Sequence, residues 1–304
     1  MEETTTTTTT TGEKHGEEQP GSGKTAQSSV ITFYQVKIAG TPRNVTVIWC
    51  KSLINHTLTV SVEKPNSTDN TFTCKVELKP WPFWSKKGFK SFEMDGQRID
   101  VFWDLRSAKF SGGPEPAGGY YVALVCNEEV ALLLGDCKKE AYKRTKSRPS
   151  LEDATIICKR ENVFGKKCFS SRARFDERRK EHDIVVENSI SGPKDPEMWI
   201  SIDGVVLIHV NNLQWKFRGN ETVIVEQVPV QVFWDVHAWL FSSSGPAHAF
   251  FIFKPALPEN NAGDDNGEDS GGDGGGAAML SSPLPLPSSS LPEFCFFLYA
   301  WKVE

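Results

Sequence analysis

Asp235 and His237 stand two residues apart. On a strand that spacing puts both side chains on one face, where a carboxylate can orient a general base. No recognisable catalytic motif accompanies them. The 304 residues contain no GxSxG elbow, no phosphate-binding loop, no HExxH and no GxGxxG. The six histidines are scattered, and none makes a ligand pair with a cysteine at metal-binding spacing. A satisfied turn or surface histidine is therefore the default for His237. No catalytic residue, cofactor-binding residue or metal ligand is assigned.

A second candidate is electrostatic. Lys138, Lys139, Lys143, Arg144, Lys146 and Arg148 concentrate six positive charges in a chain of formal net charge -5. Such a run suits a nuclear-import signal, an anionic-lipid contact or a nucleic-acid patch. Its plainer reading is a solvated linker or helix face. Lys159-Arg160 and Lys166-Lys167 would extend the patch if the fold gathers them. The cations beside Cys137 would lower its thiol pKa, although a lone thiol says little about function. The acidic balance of the whole chain argues against wholesale phosphate neutralisation.

The elements that position these residues read as strands. Leu58, Val60 and Val62 alternate with Thr59 and Ser61, and Cys74, Val76 and Leu78 with charged neighbours. That is the two-residue period of a half-buried strand. Val45-Thr46-Val47-Ile48-Trp49 is β-branched and aromatic. Asp95-Gly96 and Asp203-Gly204 each separate two such runs, which predicts hairpins. Helical signals are few. Residues 136–146 suit a short polar helix, and Ser150 with Asp153 makes a weak capping box.

The chain also resembles itself. With Trp84 set against Trp215, Gly88 meets Gly219, Val101-Phe102-Trp103-Asp104 meets Val232-Phe233-Trp234-Asp235, and Phe110-Ser111 meets Phe241-Ser242. Gly113-Pro114 and Gly245-Pro246 follow. The expected fold is all-β, with two tandem copies of an antiparallel β unit, sandwich- or barrel-like, and few short helices. Trp103 and Trp234 are read as packing anchors, with Asp104 and Asp235 capping the following turns. Trp84, with its counterpart Trp215, is read as packing too. Trp81 faces Asn212 in the alignment and has no counterpart, so it is the candidate exposed contact.

The organisation follows from composition. Residues 1–28 read as a disordered tail, 29–137 as the first copy, 138–150 as the basic connection and 151–256 as the second copy. Residues 257–292 are acidic and Gly-rich, then Pro/Ser-rich, as expected of a linker. Residues 293–304 are apolar enough to return to the body as a strand. No apolar run approaches the roughly 20 residues of a membrane-spanning helix. The start lacks signal-peptide character, and seven cysteines without a CxxC pair do not suggest a disulfide framework. The expected setting is intracellular, cytoplasmic and/or nuclear, and not secreted.

Several of these stretches resemble the plant DUF868 family. They include Lys79-Pro80-Trp81, Lys86-Lys87-Gly88, Val101-Phe102-Trp103-Asp104-Leu105, Gly113-Pro114-Glu115-Pro116, Val163-Phe164-Gly165-Lys166-Lys167 and Leu213-Gln214-Trp215-Lys216-Phe217-Arg218-Gly219-Asn220. The tail, with Glu293-Phe294-Cys295 and Leu298-Tyr299-Ala300-Trp301-Lys302, is similar to that family as well. The family is one of unknown function, so the resemblance implies a plant protein but supplies no catalytic residues and no cofactor. The favoured function is a non-enzymatic binding module with a protein partner. Nucleic-acid or anionic-lipid binding through residues 138–148 is one alternative, and an enzyme without a recognisable motif is another.

Overall fold

The computed structural model describes residues 27–53, 55–63, 71–78, 86–176, 180–190, 195–242, 246–256 and 294–303. The expectations for the N-terminal tail, the 257–292 linker, Trp81 and Trp84 lie outside these residues.

The described chain is mostly strand. Four successive strands, β1 (Ser28–Ile38), β2 (Thr41–Lys51), β3 (His56–Glu63) and β4 (Thr71–Leu78), pair antiparallel in order. A second run, β5 (Lys87–Met94), β6 (Gln97–Asp104), β7 (Tyr121–Cys126) and β8 (Glu129–Leu134), does the same. The inner faces of the two runs meet. Val45, Val47, Trp49, Leu58, Val60 and Val62 share one core with Ile99, Val101, Val122, Leu124 and Leu132. Each sheet alternates apolar and polar residues, so one face needs cover, and two such faces satisfy each other as a sandwich.

The pattern recurs further along the chain. The run β11 (Cys168–Ala173), β12 (His182–Ser189), β13 (Glu197–Ile202) and β14 (Val205–Val210) forms a four-stranded sheet. It packs on β15 (Arg218–Val225), β16 (Val228–Asp235), β17 (His248–Pro255) and β18 (Cys295–Lys302), burying Phe169, Ile184, Ile200, Val230, Phe251, Phe253 and Phe296. The strand β10 (Thr155–Gly165) joins the two sandwiches. It pairs antiparallel with β1 and parallel with β18, which makes one nine-stranded sheet, β15-β16-β17-β18-β10-β1-β2-β3-β4. Among the described residues no sheet closes on itself, so the architecture is sandwich rather than barrel. Besides β10–β18, the short β9 (Arg148–Pro149) is parallel to β8. These two pairs depart from an otherwise antiparallel pattern.

Both DG hairpins form, and Asp95-Gly96 and Asp203-Gly204 take positive φ throughout as the mirror-image two-residue turn requires. Helix α1 (Lys138–Thr145) lies on the outer face of β7, with Ala141 fully buried against Tyr121, Ala123 and Val125. That cover explains why all six residues of β7 are buried rather than every second one. No helix follows Ser150. Its hydroxyl instead donates to Glu129 Oε1 at 2.8 Å and accepts from the Glu152 N–H. The second helix, α2 (His237–Phe241), is a single short turn.

The two Trp-Asp strands are built alike. Gly88 lies directly across from Trp103, and Gly219 across from Trp234. At either glycine a Cβ would collide with the facing indole, at 2.8 Å from Trp103 Cζ2 in the first case. Trp234 also donates its Nε1–H to the Lys216 carbonyl at 3.0 Å. Packing does not extend to Trp215, which is 82% exposed. Its match to Trp84 misleads because the chain around Trp215 is a turn outside the sandwich, with Trp215 N bonded to Asn212 O.

Candidate functional site

Period-two alternation places Lys159, Glu161 and Val163 of β10 on the inner face of the long sheet. The register sets Glu161 opposite Val30 and Lys159 opposite Thr32. Here, where β10 joins the two halves, the inner face turns polar. A cleft of about 890 Å³ opens over these residues. Its walls come from β1, from β11 and β12, and from the loop between β6 and β7.

That loop is pinned at several points. The Phe110 ring packs on His56 at 3.9 Å, and Lys51 Nζ donates to the Gly112 carbonyl. The Asp136 carboxylate accepts from the Gly119 and Tyr120 N–H groups at 2.7 and 3.2 Å. Between these anchors Pro114 and Pro116 are buried and present Glu115 to the cleft. Two prolines fix the backbone around Glu115.

Three charged groups define the site. Lys159 Nζ donates to the Arg172 carbonyl at 2.7 Å, lies 3.9 Å from Glu161 Oε2 and stands over the Phe296 ring. Ser171 Oγ donates to Glu161 Oε2 at 2.5 Å. Burial pushes the Glu161 carboxyl up, with Lys159 and Ser171 pulling the other way. Burial also raises Glu115, which keeps a partial opening to the cleft but is closely surrounded by protein; Lys159 opposes that shift and Glu181 adds to it. The phenols of Tyr34 and Tyr120 are raised, first by burial and then by the neighbouring Glu115. Two carboxyls biased toward the neutral form, a lysine and mixed polar and apolar walls together can hold a polar ligand and exchange a proton with it.

The residues singled out in the sequence lie elsewhere. Lys138, Lys139, Lys143, Arg144, Lys146 and Arg148 are all exposed, on α1 and just beyond it. Arg148 pairs with Glu129 at 3.2 Å, and the other five make no ion pair among the described residues. Lys159 does not extend this patch, because it is turned into the cleft with its side chain only 15% exposed. Nor is the Cys137 thiol lowered. Burial raises it, and the adjacent Asp136 carboxylate adds to the rise. Asp235 accepts from Arg218 Nε at 2.8 Å and from the His237 backbone N–H at 3.0 Å. The His237 ring packs instead on Phe217 and Phe241, so the pair is a turn cap.

One cluster has metal-ligand chemistry. His182, Asp203 and Glu226 bring a ring nitrogen and two carboxylates within 4.8 Å of one another. Lys180 already fills the cation's role, with Nζ 3.2 Å from Asp203 and 3.0 Å from Glu226. The hydrogen bond from His182 holds the Asp203 carboxyl down to about 2. The set ties together the segment before β12 and the β13–β14 and β15–β16 turns.

The fold and the cleft define an all-β protein of two sandwiches sharing one sheet. The chain belongs to the DUF868 family, described as a plant protein of unknown function, whose model matches residues 25–302. No curated protein and no solved structure matches it. Among the described residues no helix is long and apolar enough to cross a membrane.

Proposed function

We propose that this chain is a non-enzymatic binding module that holds its ligand in the cleft between its two halves. The observation that carries the reading is the polar floor laid by Lys159 and Glu161 on the one strand common to both halves. A buried ion pair at a seam is weak stabilisation for its own sake. An apolar seam would join the two cores better, so the polar groups are read as serving a ligand. The volume falls within the range of small-molecule pockets. The two halves are read as copies of one duplicated unit, 29–137 and 151–256. The matching Gly-under-Trp pairs and the matching Asp104 and Asp235 turn caps support that reading. An intracellular setting, cytoplasmic or nuclear, is supported by seven cysteines that are all free.

The test is a fragment screen by ligand-observed NMR on the wild type and on Ser170→Trp. Ser170 is an exposed residue of the cleft wall, so the substitution fills the cleft without entering a core. The reading expects hits that Ser170→Trp abolishes while its melting temperature is unchanged. Hits that persist in the variant sink it, and turnover of a bound compound replaces it with an enzyme.

The exposed cations of α1 favour a second reading, in which nucleic acid or an anionic lipid binds the outer face of the first sandwich. Replacing the six cations by Ser would then abolish a salt-sensitive interaction and leave cleft hits intact. A protein partner retained by that variant after nuclease treatment would count against this second reading.

A further inference from the structure

We propose that the cleft takes an alkylammonium group, with its positive charge set against Glu115. This rests on the cleft being a binding site. The inference comes from accounting for every charge on the lining. The acidic groups are Glu115, Glu161, Glu181 and Asp183, and the basic ones are Lys159 and Arg172. Arg172 is taken by Asp183, with Nε 2.8 Å from Oδ1. Glu161 is held by Ser171 and has Lys159 beside it, and Lys159 spends a donor on the Arg172 carbonyl. Glu115 and Glu181 remain, and neither has a hydrogen bond or ion pair among the described residues. Glu181 lies near enough to Glu115 to disfavour ionisation of the Glu115 carboxyl.

Such a site discriminates by sign. An anion entering it meets a lining with four acidic groups against two basic ones. A neutral molecule leaves Glu115 where it is. A cation satisfies both acids, and an ammonium ion can donate to each in turn. The wall also carries apolar side chains against which an alkyl chain can pack, among them Val30, Pro114, Pro116, Phe164 and Ile184. Because Glu115 is fixed between two buried prolines, the site does not have to order a loop when it binds. The groups that face Glu115 electrostatically are Lys159, Glu181, Glu161, Tyr34 and Tyr120. Burial biases the Glu115 carboxyl toward its neutral form, so a cation set against it favours release of its proton.

The ammonium group can belong to a free amine or to a lysine side chain. Calorimetry on the full chain therefore uses hexamethylenediamine, N-acetyl-lysine N-methylamide, hexanediol and adipate. The two cations should bind, and the tighter one assigns the source. Hexanediol and adipate should be weaker by about tenfold or more, as should the diamine on Glu115→Gln. Glu181→Gln should weaken it less. Titrations in buffers of different ionisation heat should show proton release, which Glu115→Gln reduces. Far-UV circular dichroism and a thermal melt establish that each variant is folded. The proposal is overturned if folded Glu115→Gln binds the diamine as tightly as the wild type, or if hexanediol matches the diamine. If hexanediol or adipate binds instead and Ser170→Trp abolishes it, the ammonium assignment fails and the binding module stands. If Ser170→Trp changes no binding at all, both fail.

Discussion

The loop after β6 and the loop after β16 leave hairpins of the same build and go to opposite uses. In both, a Trp lies over a cross-strand Gly, and an Asp closes the following turn. Even the exits agree, with Leu105 N bonded to Lys86 O and Val236 N to Phe217 O. Beyond that point the second loop forms α2 and drives Trp239 into the core. There it stacks on Phe169 at 4.9 Å and donates to the Ala300 carbonyl at 3.0 Å. The first loop stays irregular, is anchored by Phe110 and Asp136, and delivers Glu115 to the cleft. A common frame thus supports a core plug in one half and a cleft wall in the other. Loops carry function because the sheets beneath already supply the stability.

The comparison breaks most readily at Trp239. Trp239→Ala should cost about 3–5 kcal/mol in denaturant unfolding, by cavity formation and an orphaned carbonyl. If it costs less than about 1 kcal/mol, α2 is no core plug. The two glycines sharpen the common part. Gly219→Ala and Gly88→Ala should each destabilise by about 1–3 kcal/mol, because the indole must move for the new methyl. Gly219→Ala should cost more, since its Cβ would come nearer the ring. Equal or negligible losses would show that Trp103 and Trp234 adapt freely.

The smallest expected effect has the opposite sign. Glu115 has a folded-state pKa raised above its ordinary 4.5. Its contribution to stability is therefore full below about 4.5 and is lost as pH rises through the folded value. Glu115→Gln cannot ionise, so thermal melts should show it gaining on the wild type as pH rises above about 4.5. A variant that loses ground as pH rises would mean that the Glu115 carboxylate is stabilised by its surroundings instead.

Much of the frame was legible from local chemistry. The strands of Leu58-Val60-Val62 and Cys74-Val76-Leu78 follow from a two-residue period, and the hairpins follow from Asp95-Gly96 and Asp203-Gly204. Other turns of the same kind carry no such signature. Asn127-Glu128 and Glu226-Gln227 also take positive φ, without a glycine to announce it. Trp215 misled for a related reason. Aromatic identity predicts burial only on average, and a turn outside the sandwich leaves the ring in solvent.

The cleft was not legible. In the sequence Lys159 reads as an extension of the basic patch, and Glu115 stands only within the Gly113-Pro114-Glu115-Pro116 stretch that resembles the family. By itself the sequence determined an all-β chain, the periodicity of its strands and several of its tight turns, because those depend on neighbours within a few residues. Only the tertiary structure decided that β10 would pair with both β1 and β18, strands over a hundred residues apart in the chain. That pairing turns Lys159 and Glu161 inward under a loop from the other half. Burial, and with it the chemistry of a carboxyl group, depends on what covers the residue, and the cover here comes from distant parts of the chain.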